Sequence, residues 1–172
     1  ATGLATGLAT GLATGLATRL NSSSQFVTYF YLDPDNNNNL YYAGNETLYK
    51  TNSATTVTTT TWTNAGALST NENLKTFATT RGTYNAASSY MLIGGQSGGI
   101  FRPNGPVNAS SLSAAVNITP STASTTNGTI VSGLAIHPTN PDIVLAVYAN
   151  YGINSIFLTT NAILQQLPLG PW

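Results

Sequence analysis

From residue 25 onward the chain alternates short apolar runs with clusters of turn-forming residues. The runs are "QFVTYFYL" (25–32), "LYYAG" (40–44), "TLYKT" (47–51), "YMLIGG" (90–95), "GIFR" (99–102), "SGLAI" (132–136), "IVLAVYA" (143–149) and "SIFLTT" (155–160). They are rich in β-branched and aromatic residues, and Gly, Pro, Asn and Asp separate them, which is the pattern of strands punctuated by turns. No stretch joins a capping residue to a sustained 3.6-residue apolar period, the mark of a helix. The chain reads as all-β.

One stretch recurs. "IHPTNPDIVLAVYANYGINSIFLTTN" (136–161) can be laid on "LDPDNNNNLYYAGNETLYKTN" (32–52). Asp33 then takes the place of His137, Pro34 of Pro138, Tyr49 of Phe157 and Asn52 of Asn161. A middle copy, "YMLIGGQSGGIFRPNG" (90–105), lacks the Pro turn but supplies a strand, a Gly turn, the aromatic Phe101 and Asn104. Pro fixes φ and ends strand pairing, Asn and Asp bond their own backbone in turns, and two alternating runs across a short Gly turn make a hairpin. An isolated hairpin is marginal in water, so such units must stack. Pro34 and Pro138 are 104 residues apart with one copy between them. The unit is therefore about 50 residues, the size of a four-stranded propeller blade. The expected fold is a β-propeller of four-stranded blades with only about three blades represented, in approximate units 25–75, 76–125 and 126–172. Three blades do not close a ring of about four to eight. The expectation is accordingly a fragment of a larger propeller or an array whose edges are covered by neighbouring subunits.

These residues resemble the sialidase-type repeats, also called BNR or Asp-box repeats, of large secreted bacterial surface proteins. There an Asp-Pro-Thr-Asn-Pro-Asn turn, a strand, a Gly-Tyr-Gly turn, a second strand and a Ser/Thr-x-Asp-x-Gly-x-Thr-Trp box recur. The resemblance covers residues 25–165 and is closest in Ile136–Asn161 and in "AVNITPSTASTTNGTIVSGLAIHP" (115–138) leading into it. It implies a fold more than an activity, since the family includes glycosidases, adhesins, receptors and pure scaffolds. The Asp of the box is replaced by Asn52, Asn104 and Asn161, and only Trp62 stands near the expected Trp. The box closes a turn between blade strands, so the resemblance makes these positions structural.

Composition narrows the partners. Charged residues are 6% of the chain, five basic against five acidic, where about 25% is ordinary. Thr, Ser, Asn and Gly supply the polarity instead, which leaves no electrostatic footprint for nucleic acid or an anionic membrane and suits surfaces packed in an assembly. There is no Cys, which excludes disulfides, thiolate metal sites and cysteine nucleophiles. No run approaches the about 18 apolar residues of a membrane span, and the start is not a signal peptide. An exported protein would therefore present this chain as its mature form or an internal piece. Residues 1–24 stand apart, because "ATGLATGLATGLATGLATRL" repeats a tetrapeptide without drift until Arg19. It reads as a placeholder for unassigned sequence or as a low-complexity segment.

Candidate chemistry is sparse. Glycoside hydrolysis needs two facing carboxylates, and the carboxylates are Asp33, Asp35, Glu46, Glu72 and Asp142. The three Asp sit in Pro/Asn turns, where bonding the local backbone is expected. Glu46 lies in a hairpin turn, and Glu72 in "STNENLK" reads as an exposed loop residue. A sialidase site would require three arginines and a Tyr nucleophile. Arg19, Arg81 and Arg102 are present, and "GGIFRPNG" is faintly similar to the Phe/Tyr-Arg-Ile-Pro of those enzymes, but Arg102 aligns with Lys50 as the basic residue at a strand end. His137, the sole histidine, occupies the turn position of Asp33 and reads as a turn former. The oxygen-rich "DPDNNNN" (33–39) makes Asp33 and Asp35 weak candidates for Ca²⁺; no other cofactor is expected, and "GGQSGG" (94–99) is a hairpin turn, not a phosphate loop. Asn-x-Ser/Thr triplets begin at Asn21, Asn45, Asn108, Asn117 and Asn127, and Tyr41, Tyr42, Tyr84, Tyr90, Tyr148 and Tyr151 could stack on sugars, although strand alternation makes several of them core or cross-strand partners. The expected function is a non-catalytic, extracellular or cell-surface propeller module: a scaffold, adhesin or assembly subunit, bound to other subunits or domains of a large protein. The alternative is a carbohydrate-active or glycan-binding propeller whose active residues lie outside this chain. Surface glycans are possible partners; nucleic acid and membrane insertion are not expected.

Overall fold

The structure, a computed structural model, describes residues 25–163 apart from 26, 28, 59, 86–87, 104–111 and 127. The ATGL segment and Asn104 lie outside the described residues. Strands in chain order pair with their chain neighbours, so each sheet is an antiparallel meander. The first sheet contains β1 (Tyr29–Leu32), β2 (Leu40–Gly44), β3 (Thr47–Thr51) and β4 (Thr63–Ala67). The second contains β5 (Leu74–Thr79), β6 (Met91–Gly95), β7 (Ile100–Arg102) and β8 (Val116–Asn117). The third contains β9 (Ile130–Ile136), β10 (Val144–Ala149) and β11 (Ile156–Thr159). It has three strands where the sequence pattern implies four, and the rest of that unit, residues 164–172, lies outside the described residues. None of the sheets closes on itself. The second sheet also begins earlier than residue 76, because Leu74 is fully buried and its N–H donates to Asn45 O at 2.8 Å.

Both faces of the middle sheet are apolar, so it reads as runs rather than as alternation. Met91 and Ile93 face the first sheet, packing with Phe77 and Phe101 against Tyr41, Ala43 and Leu48. Leu92 and Ile100 face the third, packing against Val131, Val144, Ala146 and Tyr148. The first strands of successive sheets meet: β5 lies against β1 and β2, and β9 against β5 and β6. Gly94 makes room for this, since a Cβ there would collide with Val131 of β9. The outer face of the first sheet, Leu40 and Tyr42, is covered by the chain's own return segment through Ala54, Val57 and Trp62.

Register makes the sheets comparable position by position. Tyr42↔Tyr49, Ile93↔Phe101 and Ala146↔Phe157 are cross-strand pairs; the first two pairs point away from the following sheet, and Ala146 and Phe157 likewise lie on the face toward the preceding one. Phe30, Phe77 and Leu134 of the three first strands stand opposite Tyr42, Ile93 and Ala146 respectively. After each third strand the chain folds back over that same face, as Ala54–Trp62, Leu112 and Ala162 in turn.

Candidate functional site

The connections from first to second strand, residues 33–39, 80–90 and 137–143, gather at one end of the stack. Two of them have the same hydrogen bonding. Asp33 Oδ1 accepts the N–H of Asp35 at 2.9 Å and of Asn36 at 3.1 Å, while Asp33 N donates to Asn39 O and Asn39 N to Asn36 O. His137 Nδ1 accepts from Thr139 N at 3.3 Å and Asn140 N at 3.1 Å. His137 N then donates to Ile143 O, and Ile143 N to Asn140 O. Accepting two N–H groups requires Nδ1 to be unprotonated, so the imidazole does the work of a carboxylate oxygen in this turn. Pro34 and Pro138 follow the acceptor residue, where no backbone donor is needed.

Asp35 and Asp142 bind neighbouring segments rather than their own turns, which corrects the expectation for both. Asp35 accepts from Arg81 Nε and Nη2 at 2.9 Å each and from Gly82 N at 2.6 Å, tying the first sheet's turn to the second sheet's loop. These Arg81 hydrogen bonds, helped by Gly82, hold the Asp35 carboxyl below its ordinary value. Asp142 Oδ1 accepts from Ile163 N at 3.0 Å and its carbonyl from Ala162 N. Glu72 is not an exposed loop residue. It is 8% exposed, and its Oε1 accepts from Ser97 N at 2.6 Å and Gly99 N at 3.1 Å. The hairpin's Gly95 and Gly99 leave the volume that this carboxylate fills.

Between the "DPDNNNN" turn and the loop after β5 lies a cleft of about 600 Å³ lined by Asp33, Asp35, Asn36, Asn38, Asn52 and Tyr84, among others. A smaller hollow of about 200 Å³ joins Arg81 and Ser88 to His137, Pro138 and Thr139. The loops on either side of that hollow are tied by Tyr90, whose hydroxyl donates to Pro141 O. Amides, hydroxyls and a half-exposed Tyr ring give neutral donors and acceptors beside one aromatic face. The carboxylate oxygens at the rim already accept N–H donors, so the arrangement suits binding of a polyhydroxylated molecule better than proton transfer to it. Among the described residues no group of three or more His, Cys, Asp or Glu could hold a metal ion. Arg81 supplies the countercharge to Asp35.

The other residues singled out in the sequence fall in the frame of the sheets. Tyr49 packs on Tyr42 with ring centroids 6.3 Å apart, Phe101 is buried between the first two sheets, and Phe157 meets Tyr148 edge-on at 5.3 Å. Asn52 lines the cleft. Asn161 N donates to Thr159 Oγ1 as Ser53 N does to Thr51 Oγ1, so hydrogen bonding pairs Asn161 with Ser53, one place from the alignment with Asn52. Arg102 is buried, donating from Nη1 to Ala162 O and Ile163 O at 2.7 and 2.8 Å, with its guanidinium 5.7 Å from the Tyr90 ring centre. It joins two sheets. Tyr84 is one of the tyrosines the sequence offers for stacking on sugars, and it lines the cleft; the Asp35–Arg81 bridge was not legible beforehand, because nothing in "RGTYN" (81–85) distinguishes a site loop from a connection.

Fold and cleft together define an all-β protein of stacked antiparallel meanders with a polar cleft at one end. Among the described residues no helix is long and apolar enough to cross a membrane. No protein-family model matches the chain, and no curated protein matches it significantly.

Proposed function

We propose that the chain is a non-catalytic β-propeller module, extracellular or at the cell surface, acting as a scaffold, adhesin or assembly subunit. One observation carries this reading. Three consecutive meanders share one plan, with first strands adjoining, the same positions facing the next sheet, and a return segment on the opposite face. Such repetition is what propeller blades require, and it supports the reading. The carboxylates Asp33, Asp35 and Glu72, the natural candidates for catalysis, are engaged in holding loops. Incubating the chain with a panel of chromogenic aryl glycosides tests the non-catalytic part. No turnover above buffer is expected, and turnover abolished by Asp33→Asn or Asp35→Asn would refute it.

The polar cleft favours glycan binding as a second reading. A glycan array probed with the wild type and with Tyr84→Ala decides it: saturable binding lost in the variant supports a saccharide site, and equal signals from both reject the cleft.

A further inference from the structure

The first two sheets differ at one corner of the face each turns to the next. Register aligns Lys50 with Arg102, Tyr41 with Leu92, Thr63 with Val116 and Asn39 with Tyr90. In the second sheet this corner is filled: the Tyr90 ring centre lies 5.7 Å from the Arg102 guanidinium, which donates to Ala162 O and Ile163 O. In the first sheet the smaller amide of Asn39 takes the place of the ring, and a hollow of about 300 Å³ lies there. Among the described residues Asn39, Tyr41, Lys50, Thr51, Asn52 and Thr63 line it. Tyr41, Lys50 and Thr63 form a lateral row across β2, β3 and β4. Asn39 and Asn52 stand on the same face, because side chains alternate along a strand. Asn52 and Thr63 are exposed, so the hollow opens to solvent.

Tyr41 is 1% exposed, and its hydroxyl has no hydrogen-bond partner among the described residues. Burial first, and the charge of Asp33 second, push that hydroxyl well above its ordinary value. It therefore stays protonated, a donor turned toward the end of the sheet that holds Asp33 and the hollow. A buried hydroxyl without an acceptor is costly, so it marks a place for one. Burial also holds the half-buried Lys50 amine below its ordinary value, a cost that a neighbouring negative charge offsets. The amides of Asn39 and Asn52 and the hydroxyl of Thr63 add further donors. No carboxylate lines the hollow among the described residues, and Asp33 Oδ1 nearby already accepts from Asp35 N and Asn36 N. We propose that the hollow binds the oxyanion of a small molecule, a carboxylate or a sulfate, with Lys50 as its countercharge and the Tyr41 hydroxyl as its buried donor. The hollow shares Asn39 and Asn52 with the polar cleft, so the body of an organic acid held there has room to extend into the cleft. The site depends on neither the propeller reading nor the saccharide reading.

Amide NMR titrations of the full chain at constant ionic strength test it, with sodium sulfate, sodium glucuronate and glucose as probes. Both anions should give saturable shifts at the amides of Tyr41, Lys50 and Thr63, and glucose should give none there. Tighter binding of glucuronate than of sulfate supports an anion carried on an organic acid that also uses the cleft; equal binding supports a free ion. Lys50→Met and Tyr41→Phe should each weaken both anions about tenfold or more, the loss of a charge-assisted hydrogen bond. Lys50→Gln serves in place of Lys50→Met if that variant does not fold. In buffer alone Tyr41→Phe should melt no lower than wild type, because it removes an unpaired hydroxyl and no hydrogen bond. A Tyr41→Phe variant that melts lower in buffer overturns the proposal, since the hydroxyl then already has its acceptor. So does the absence of saturable shifts with both anions, or binding unchanged in both variants, which means an adventitious ion only. Glucose shifting the same amides as strongly as glucuronate overturns it too, because the charge is then not read.

Discussion

The outer faces of the second and third sheets are built from nearly the same residues and have opposite surroundings. Leu92 and Ile100 are completely buried, whereas Leu145, Ile156 and Leu158 at matching positions look onto solvent. Residue type therefore does not distinguish core from surface here; the presence of a following sheet does. The one chemical difference is instructive. Arg102 can be buried because the return segment of the third sheet offers two carbonyls, Ala162 O and Ile163 O, and a buried guanidinium without such acceptors would be costly. The third sheet carries Leu158 at that place and needs no such partner.

The sharpest way to break this comparison is to truncate equivalent residues. Ile100→Ala should lose about 2–5 kcal/mol in urea unfolding, the cost of a cavity in a packed core. Ile156→Ala should stay within about 0.5 kcal/mol of wild type, as exposed positions do. Similar losses at both sites would mean that the two faces are not covered and open versions of one surface.

Alkaline pH probes the covered interfaces from another side. Burial raises the Tyr41, Tyr90 and Tyr148 hydroxyls above their ordinary 10.0. The unfolded chain ionises them near that value while the folded chain keeps them neutral. Their contribution to stability is therefore complete below pH 10 and falls away as the pH rises above it. Thermal melts should show a steep drop in Tm above that pH, and Tyr148→Phe should blunt it. Unchanged melting up to strongly alkaline pH would show that these rings are not sealed between sheets.

Glu72 ties the loop between the first two sheets to the hairpin of the second. Glu72→Ala leaves the N–H groups of Ser97 and Gly99 without their acceptor and should cost about 1–3 kcal/mol. Glu72→Gln keeps an acceptor oxygen and should cost less, which denaturant midpoints of the two variants will rank.

Smaller effects come from the turns. His137→Asp should be neutral, because Asp33 makes the same two hydrogen bonds, while His137→Ala should lose about 0.5–1.5 kcal/mol. Equal losses in both variants would break the equivalence of the two turns. The smallest change belongs to the exposed Asp35–Arg81 bridge. Arg81 holds the Asp35 carboxyl below its ordinary 3.8, so its contribution is present above that pH and lost as the pH falls through the lowered value. The protection of the Gly82 amide, which donates to Asp35, relative to its intrinsic exchange rate should fall in that acid range.

Much of the fold was legible because each sheet is a meander: consecutive apolar runs pair with one another, and neighbours in sequence are neighbours in space. The parallel between Asp33 and His137 was legible for the same reason, since a turn is a local structure and its acceptor sits at a fixed offset from a proline. β4 (TNAGA) and β5 (LKTFAT) were not among the apolar runs. β4 is an edge strand whose Thr63 and Asn64 are exposed, and β5 alternates Lys75 and Thr76 with Phe77, so neither forms a run of its own. Glu72 was misread because its burial depends on the missing side chains of Gly95 and Gly99 in a different sheet. The Asp35–Arg81 bridge spans 46 residues and follows only once the first and second sheets are side by side.

The central claim is that the outer faces of the second and third sheets are covered and open versions of one surface. Radical footprinting of aliphatic and aromatic side chains measures this directly. Leu92, Ile100 and Phe77 should be protected, and Leu145, Ile156 and Leu158 should be modified. If Leu92 and Ile100 are modified as readily as Leu145 and Ile156, the second sheet's face is not covered and the claim fails.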